Sequence, residues 1–153
     1  MSKEQFIHVD SYGNKLYYSD RKMTIKHRED GSAFERFNGD KYWFINGKRH
    51  RVDGPAIEYA NGDKEWWING DRHREDGPAV EYATGYKSWY INGKHHREDG
   101  PAVEWASGDK EWFINGRRLT EEEFNKRMNP VELTLEQIAE KFGVSVEQLK
   151  IKK

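Results

Sequence analysis

The chain of 153 residues balances 26 Lys and Arg against 27 Asp and Glu, so no overall field draws in nucleic acid or an acidic membrane. The absence of cysteine excludes disulfide scaffolds, thiolate zinc sites and cysteine nucleophiles, and points to a cytoplasmic protein. The apolar fraction is 35% and draws heavily on six Trp, eight Tyr and seven Phe, which predicts one compact unit with an aromatic core.

The charged start Met1-Ser2-Lys3-Glu4-Gln5 has no apolar h-region, and no stretch reaches the length of a bilayer span, so neither export nor a membrane is expected. Residues 1–26 read as a degenerate half repeat capping the N-terminal end, with Tyr12-Gly13-Asn14 and Tyr17-Tyr18 offset by three residues from the register of the full units. Across residues 27–118 a unit of 23 residues then recurs four times. His-Arg-x-Asp-Gly starts at His27, His50, His73 and His96, and Ile-Asn-Gly starts at Ile45, Ile68, Ile91 and Ile114. Gly39, Gly62, Gly85 and Gly108 keep the same step.

Within a unit, Pro55 to Ala60 predicts a short strand, Asn61-Gly62 a turn and Asp63 to Ile68 the partner strand, because Asn-Gly between such runs suits a two-residue hairpin turn. A second turn at Asn69-Gly70 leads into Asp71 to Arg74, and Asp76-Gly77-Pro78 closes the unit. The expected fold is mainly β: an elongated antiparallel β-meander of hairpins with a small C-terminal helical cap. A two-residue turn at Asn61-Gly62 sets Tyr59 opposite Lys64, Glu58 opposite Glu65 and Ile57 opposite Trp66. One face then carries Ile57, Tyr59 and Trp66, and the other Ala56, Glu58 and Trp67. The column Phe34, Ile57, Val80, Val103 beside Trp43, Trp66, Trp89, Trp112 is the expected main core. Glu facing Glu is unfavourable, so the equally periodic Arg28, Arg51, Arg74 and Arg97, or the His column, are expected to compensate.

In residues 119–153, Thr120-Glu-Glu-Glu123 has the form of a capping box and predicts a helix toward Met128, ended by Asn129-Pro130 and covering the last strand edge. A further helix is predicted with Thr134 as N-cap, Leu135, Ile138, Ala139 and Phe142 as its apolar stripe, and Gly143 at its end, with Ser145 capping another. This tail resembles the first two helices of a helix-turn-helix and the helical part of a LysM module. The second helix would have to read base edges, yet residues 132–153 hold four acids and four Lys, so sequence-specific DNA reading is not expected.

The 23-residue hairpin unit, with Gly before a Trp/Tyr strand and a following Asn-Gly turn, resembles the MORN repeat over roughly residues 27–118. Where such repeats place a Lys-x-His-Gly turn, this chain has His-Arg-x-Asp-Gly-Pro-Ala, a tandem form that also resembles repeats of small bacteriophage proteins. The resemblance implies a single-layer scaffold for protein contact, dimerisation or lipid contact, without catalysis. Repetition points the same way, since an active site is usually one asymmetric constellation while His-Arg-x-Asp occurs at four equivalent places. Successive His columns, two strands apart, would lie about 10 Å from each other and share no metal ion. Neither cofactor nor metal is expected.

The candidate binding residues are Tyr59, Trp67, Arg74, Tyr82, Trp89, Tyr90, Arg97 and Trp105, since Trp, Tyr and Arg are the usual interface anchors. The function expected from them is that of a non-enzymatic protein that binds and blocks a partner through one sheet face, and the resemblance to bacteriophage repeats implies an accessory inhibitor of a host protein, such as a defence component, in the host cytoplasm. The alternative is a sponge that sequesters a nucleotide second messenger without cleaving it, in a pocket completed by homodimerisation, with Arg74 and Trp89 as its test residues. Lipid-headgroup attachment through Lys64, Lys87 and Lys110, which edge the Tyr59, Tyr82, Trp105 column, is the third reading.

Overall fold

The computed structural model describes residues 5–130 and 132–149. Two compact units divide the chain, one reaching to Thr120 and one starting at Glu121. The first begins with the hairpin β1 (Phe6–Val9) and β2 (Lys15–Tyr18). The first two repeats each supply four two-residue strands: β3 (Phe34–Glu35), β4 (Lys41–Tyr42), β5 (Phe44–Ile45) and β6 (Lys48–Arg49), then β7 (Ile57–Glu58), β8 (Lys64–Glu65), β9 (Trp67–Ile68) and β10 (Asp71–Arg72). The third repeat supplies β11 (Val80–Glu81), β12 (Lys87–Ser88), β13 (Tyr90–Ile91) and β14 (Lys94–His95), and the fourth β15 (Val103–Glu104), β16 (Lys110–Ile114) and β17 (Arg117–Leu119). Eleven of these strands form one antiparallel meander sheet, and β5–β6, β9–β10 and β13–β14 form three small hairpins.

The register differs from expectation by one residue. Ile57 pairs with Glu65 and Glu58 with Lys64, because the loop holds three residues, Ala60, Asn61 and Gly62. Tyr59 N–H donates to Asp63 O at 3.0 Å and Gly62 N–H donates back to Tyr59 O at 3.0 Å, which closes a turn with Gly62 alone at positive φ, +94°. The two-residue turn lies instead at Asn69-Gly70, where Asn69 has φ 53° and Gly70 φ 94° and Ile68 pairs with Asp71. A one-residue slip turns side chains to the opposite face. Trp66 therefore shares a face with Glu58, and Trp67 with Ile57, the reverse of the expected grouping.

Among the described strands Glu is nowhere opposite Glu. The central row across the sheet alternates in sign, Lys15, Glu35, Lys41, Glu58, Lys64, Glu81, Lys87, Glu104, Lys110, each directly opposite the next. The row beside it is the core, where Ile57, Val80 and Val103 alternate with Tyr42, Glu65 and Ser88, all buried. Ala33, Ala56, Ala79 and Ala102 are fully enclosed. Apart from Tyr42, rings of the repeats do not fill the interior as expected: the four periodic Trp are half-buried.

The N-terminal hairpin substitutes for a missing half repeat. Tyr17 N–H donates to Ala33 O as Trp43 N–H does to Ala56 O, and the Arg28 guanidinium lies 4.1 Å from the Tyr17 ring centroid, so Tyr17 occupies the Trp slot with the three-residue offset noted above.

The second unit contains α1 (Glu121–Met128) and α2 (Leu135–Phe142). Thr134 caps α2 in a reciprocal box with Gln137, and Gly143 ends it at φ 66°. Of the expected apolar stripe Ala139 is buried, whereas Leu135 and Phe142 are exposed. After Ser145 there is a single 3-10 turn, Val146–Gln148, in place of a second recognition-length helix. No described helix is long and apolar enough to cross a membrane.

Candidate functional site

One sheet face repeats itself in every unit. Arg74 Nε donates to Asp76 Oδ1 at 2.8 Å, and its Nη1 donates to Pro78 O at 3.2 Å and to Glu81 Oε1 at 2.9 Å. The same guanidinium stacks 4.1 Å from the Trp66 ring centroid. Arg97 repeats this with Asp99, Pro101, Glu104 and the Trp89 ring, and Arg51 with Asp53, Pro55, Glu58 and the Trp43 ring. The Arg column does accompany the Glu column as expected, now as a loop staple rather than as a cure for facing acids. Hydrogen bonds from Arg hold Asp30, Asp53, Asp76 and Asp99 below the usual carboxylate range, so these acids stay ionised.

The His column ties the start of each unit to the Asn-Gly turn near its end. His73 Nδ1 lies 3.2 Å from Asn92 N and 3.0 Å from Asn92 Oδ1, and His96 Nδ1 lies 3.0 Å from Asn115 N. Nε2 of His73 faces Glu75 at 3.6 Å and that of His96 faces Glu98 at 3.5 Å. Between successive loops lie three open grooves of about 600, 610 and 670 Å³. In one of them Glu75, Asp76, Glu98 and Asp99 outnumber Arg74 and Arg97, whose Nε and Nη1 already donate to Asp, Glu and Pro oxygens.

The opposite face carries rings and changes from unit to unit. At a step of 23 residues it reads Arg36, Tyr59, Tyr82, Trp105, then Tyr42, Glu65, Ser88, Glu111, then Phe44, Trp67, Tyr90, Phe113, then Arg49, Arg72, His95, Arg118. In the second, third and fourth units two of these columns vary together. Arg72 donates through Nε and Nη2 to buried Glu65 at 3.2 and 3.1 Å, and Arg118 pairs with Glu111 at 2.6 Å, whereas in the third unit both charges are absent and Ser88 accompanies His95. Trp67 Nε1 donates to Glu65 at 3.0 Å. Burial, and then the Glu65 charge, push the Tyr59 hydroxyl up to about 12. His95 is stacked between Tyr90 and Phe113, at 4.1 and 4.9 Å.

The third unit departs from its own repeat once more at Tyr86. Asp40 and Asp63 accept from the next loop's Ala60 and Ala83 N–H at 2.8 and 2.7 Å, but the equivalent residue is Tyr86, which packs 5.2 Å from Tyr82 and 6.0 Å from Trp105. The eight candidate residues thus fall on two faces. Tyr59, Trp67, Tyr82, Tyr90 and Trp105 share the ringed face, while Arg74, Trp89 and Arg97 belong to the repeated face and form its staples. Lys64, Lys87 and Lys110 do not edge the ring column; they lie in the alternating row with Glu on the repeated face. Tyr86, His95 and the Glu65–Arg72 pair were missed, although each shows as a departure or a joint change when the four units are aligned with each other.

No group of three or more His, Asp or Glu among the described residues is placed to hold a metal ion. Compared with models of known protein families and with curated proteins, the chain matches none.

Proposed function

We propose that the protein is a non-catalytic binding protein whose ringed face docks a partner protein. The observation that carries this is the contrast between faces: the Arg, Trp and His of the repeated face are the same in all four units, whereas three or more residue types fill most columns of the ringed face, which leaves rings half-open, Trp105 at 38% exposure. Trp, Tyr and Arg dominate that face, as they dominate interface hot spots. The likeness of the tandem His-Arg-x-Asp-Gly-Pro-Ala form to repeats of small bacteriophage proteins supports the more specific setting, an accessory factor that blocks a host protein, such as a defence component, in the host cytoplasm.

The nucleotide sponge draws on the three grooves, where Arg lies beside Trp. The aspartates there are held ionised by Arg, and carboxylates outnumber guanidiniums, which favours the protein-binding reading over a phosphate ligand. A photoreactive residue at Tyr82 separates the two, with one at Glu75 on the repeated-face loop as control. One host protein cross-linked in stoichiometric yield from position 82 and not from 75 is the expected result. A nucleotide released on denaturation, with no protein cross-link from either position, would overturn it.

A further inference from the structure

In the second and fourth units the Arg of the ringed face has its own acid, Glu65 for Arg72 and Glu111 for Arg118, and in the third unit acid and Arg are both replaced. The first unit alone keeps the cation and lacks the acid: Arg49 stands in the Arg column while Tyr42 stands in the Glu column. Among the described residues no carboxylate pairs with Arg49, and its Nε is buried without a hydrogen-bond partner. Buried donors are nearly always satisfied, so an orphan at the place where the repeat itself omits the matching acid is a departure that asks for an explanation.

The surroundings of Arg49 supply one. Its guanidinium lies 4.8 Å from the Trp67 ring centroid, and it sits directly across the small hairpin from Phe44. Lys26 Nζ lies 5.1 Å from the Phe34 ring and 5.4 Å from the Phe44 ring. The Arg36 guanidinium, half-exposed, lies 5.9 Å from Phe34 and 5.8 Å from Tyr42. Three cations therefore gather around the Phe34, Tyr42 and Phe44 rings, and Asp40, 3.6 Å from Arg36, is the one carboxylate paired with any of them among the described residues. The ringed face is cationic here and neutral at the third unit, where Tyr82, Tyr86 and Tyr90 stand beside Trp105 of the fourth.

Resting on the protein-binding reading above, we propose that this end of the ringed face recognises an acidic, ring-bearing segment of the partner protein, whose carboxylates supply to Arg49, Lys26 and Arg36 the counter-charge that the first unit lacks. Carboxylate on guanidinium is a strong charge-assisted contact, and the rings give an aromatic side chain of the same segment a surface on which to stack. A phosphate would suit the cations equally well, so the test includes one.

The test uses the full chain, labelled for NMR, and titrates it with a short synthetic peptide of alternating Glu and Tyr, with ATP and inorganic phosphate as separate probes. Saturable binding of the peptide is expected, with the largest shifts at Lys26, Arg36 and Arg49. Arg49→Ala is expected to weaken it about tenfold or more. The informative variant is Tyr42→Glu, which restores the Glu–Arg pair of the second and fourth units, is therefore compatible with the fold, and is expected to abolish peptide binding by satisfying Arg49 internally. Peptide binding that survives Tyr42→Glu unchanged would overturn the proposal, as would binding of ATP or phosphate at these residues without binding of the peptide. If the peptide fails to bind while a host protein still cross-links from Tyr82, the acidic segment is wrong and the protein-binding reading stands; loss of both overturns both.

Discussion

The two faces of the sheet are built from the same short strands and differ in how far they repeat. On the Arg–Trp–His face each polar group that recurs also has a recurring partner: Arg with Asp and Glu, His with the turn Asn 19 residues on, Glu with the Lys across the strand. On the ringed face the neighbours of a given position change along the array, and side chains change together, Glu with Arg and Ser with His. A tandem repeat therefore serves as its own alignment. Identity across units marks what stacking requires, and covariation across units marks which side chains touch.

That inference is most exposed at the Glu65–Arg72 pair. Glu65→Ser leaves the Arg72 guanidinium without its acid in a half-buried position and is expected to lower stability by about 3 kcal/mol in urea unfolding. The double change Glu65→Ser with Arg72→His reproduces the third unit and is expected to recover about 2 kcal/mol of that loss. Additive effects would mean that the two columns vary independently, and the contrast between the faces would lose its basis. On the repeated face, Arg74→Ala strips Asp76 and Glu81 of their partner and uncovers Trp66, with an expected loss of about 2 kcal/mol. Because its role is structural, protein capture through Tyr82 should persist under native conditions, and loss of capture at unchanged stability would move the binding surface to the other face.

Much of the architecture is legible in the sequence. The 23-residue period, the hairpins, the Arg–Glu pairing, the worn N-terminal unit and the Thr134 and Gly143 caps all arise from local chemistry that a sequence displays. The register is not legible in the same way, because both Asn-Gly steps of the second unit look alike. The position of Asn61, however, is filled by Asn38, Thr84 and Ser107 in the other units, whereas that of Asn69 is Asn in all four. Thr and Ser are poor at positive φ, so only the second step can be the two-residue turn. The enclosed Ala column was missed because a small side chain gives no hydrophobic signal of its own. The ringed site was divided between two faces because the one-residue slip exchanged Trp66 with Trp67.

The turns give the next comparison. Asn92 sits at φ 49°, a left-handed conformation that Asn tolerates through its short polar side chain and Ala does not, so Asn92→Ala is expected to lose about 1 kcal/mol. Asn61→Ala should lose less, within about 0.5 kcal/mol, because Asn61 is not at positive φ and keeps only its contacts with Asp63. Equal losses in urea unfolding would contradict the three-residue loop at Ala60–Gly62.

The smallest expected effect concerns the third unit, where the Glu–Arg pair of the ringed face is replaced by Ser88 and His95. His95 titrates below the ordinary histidine value: burial between Tyr90 and Phe113 does most of this, Glu111 pulls the other way, and the Arg72 charge adds to the lowering. In the folded chain His95 thus binds fewer protons than in the unfolded chain. Its contribution to stability is complete above the unfolded value of about 6.5 and is lost as pH falls through the lower folded value. Comparing urea midpoints at pH about 7.5 and about 5.5, the wild-type chain should lose more stability than His95→Gln, which cannot titrate there. The remaining pH dependence, common to both, belongs to the other ionisable groups, so only the difference between the two chains reports on His95. If both lose the same amount, the His95 ring is not held neutral by its stack, and the replacement of Arg by His in the third unit has no electrostatic consequence for the ringed face.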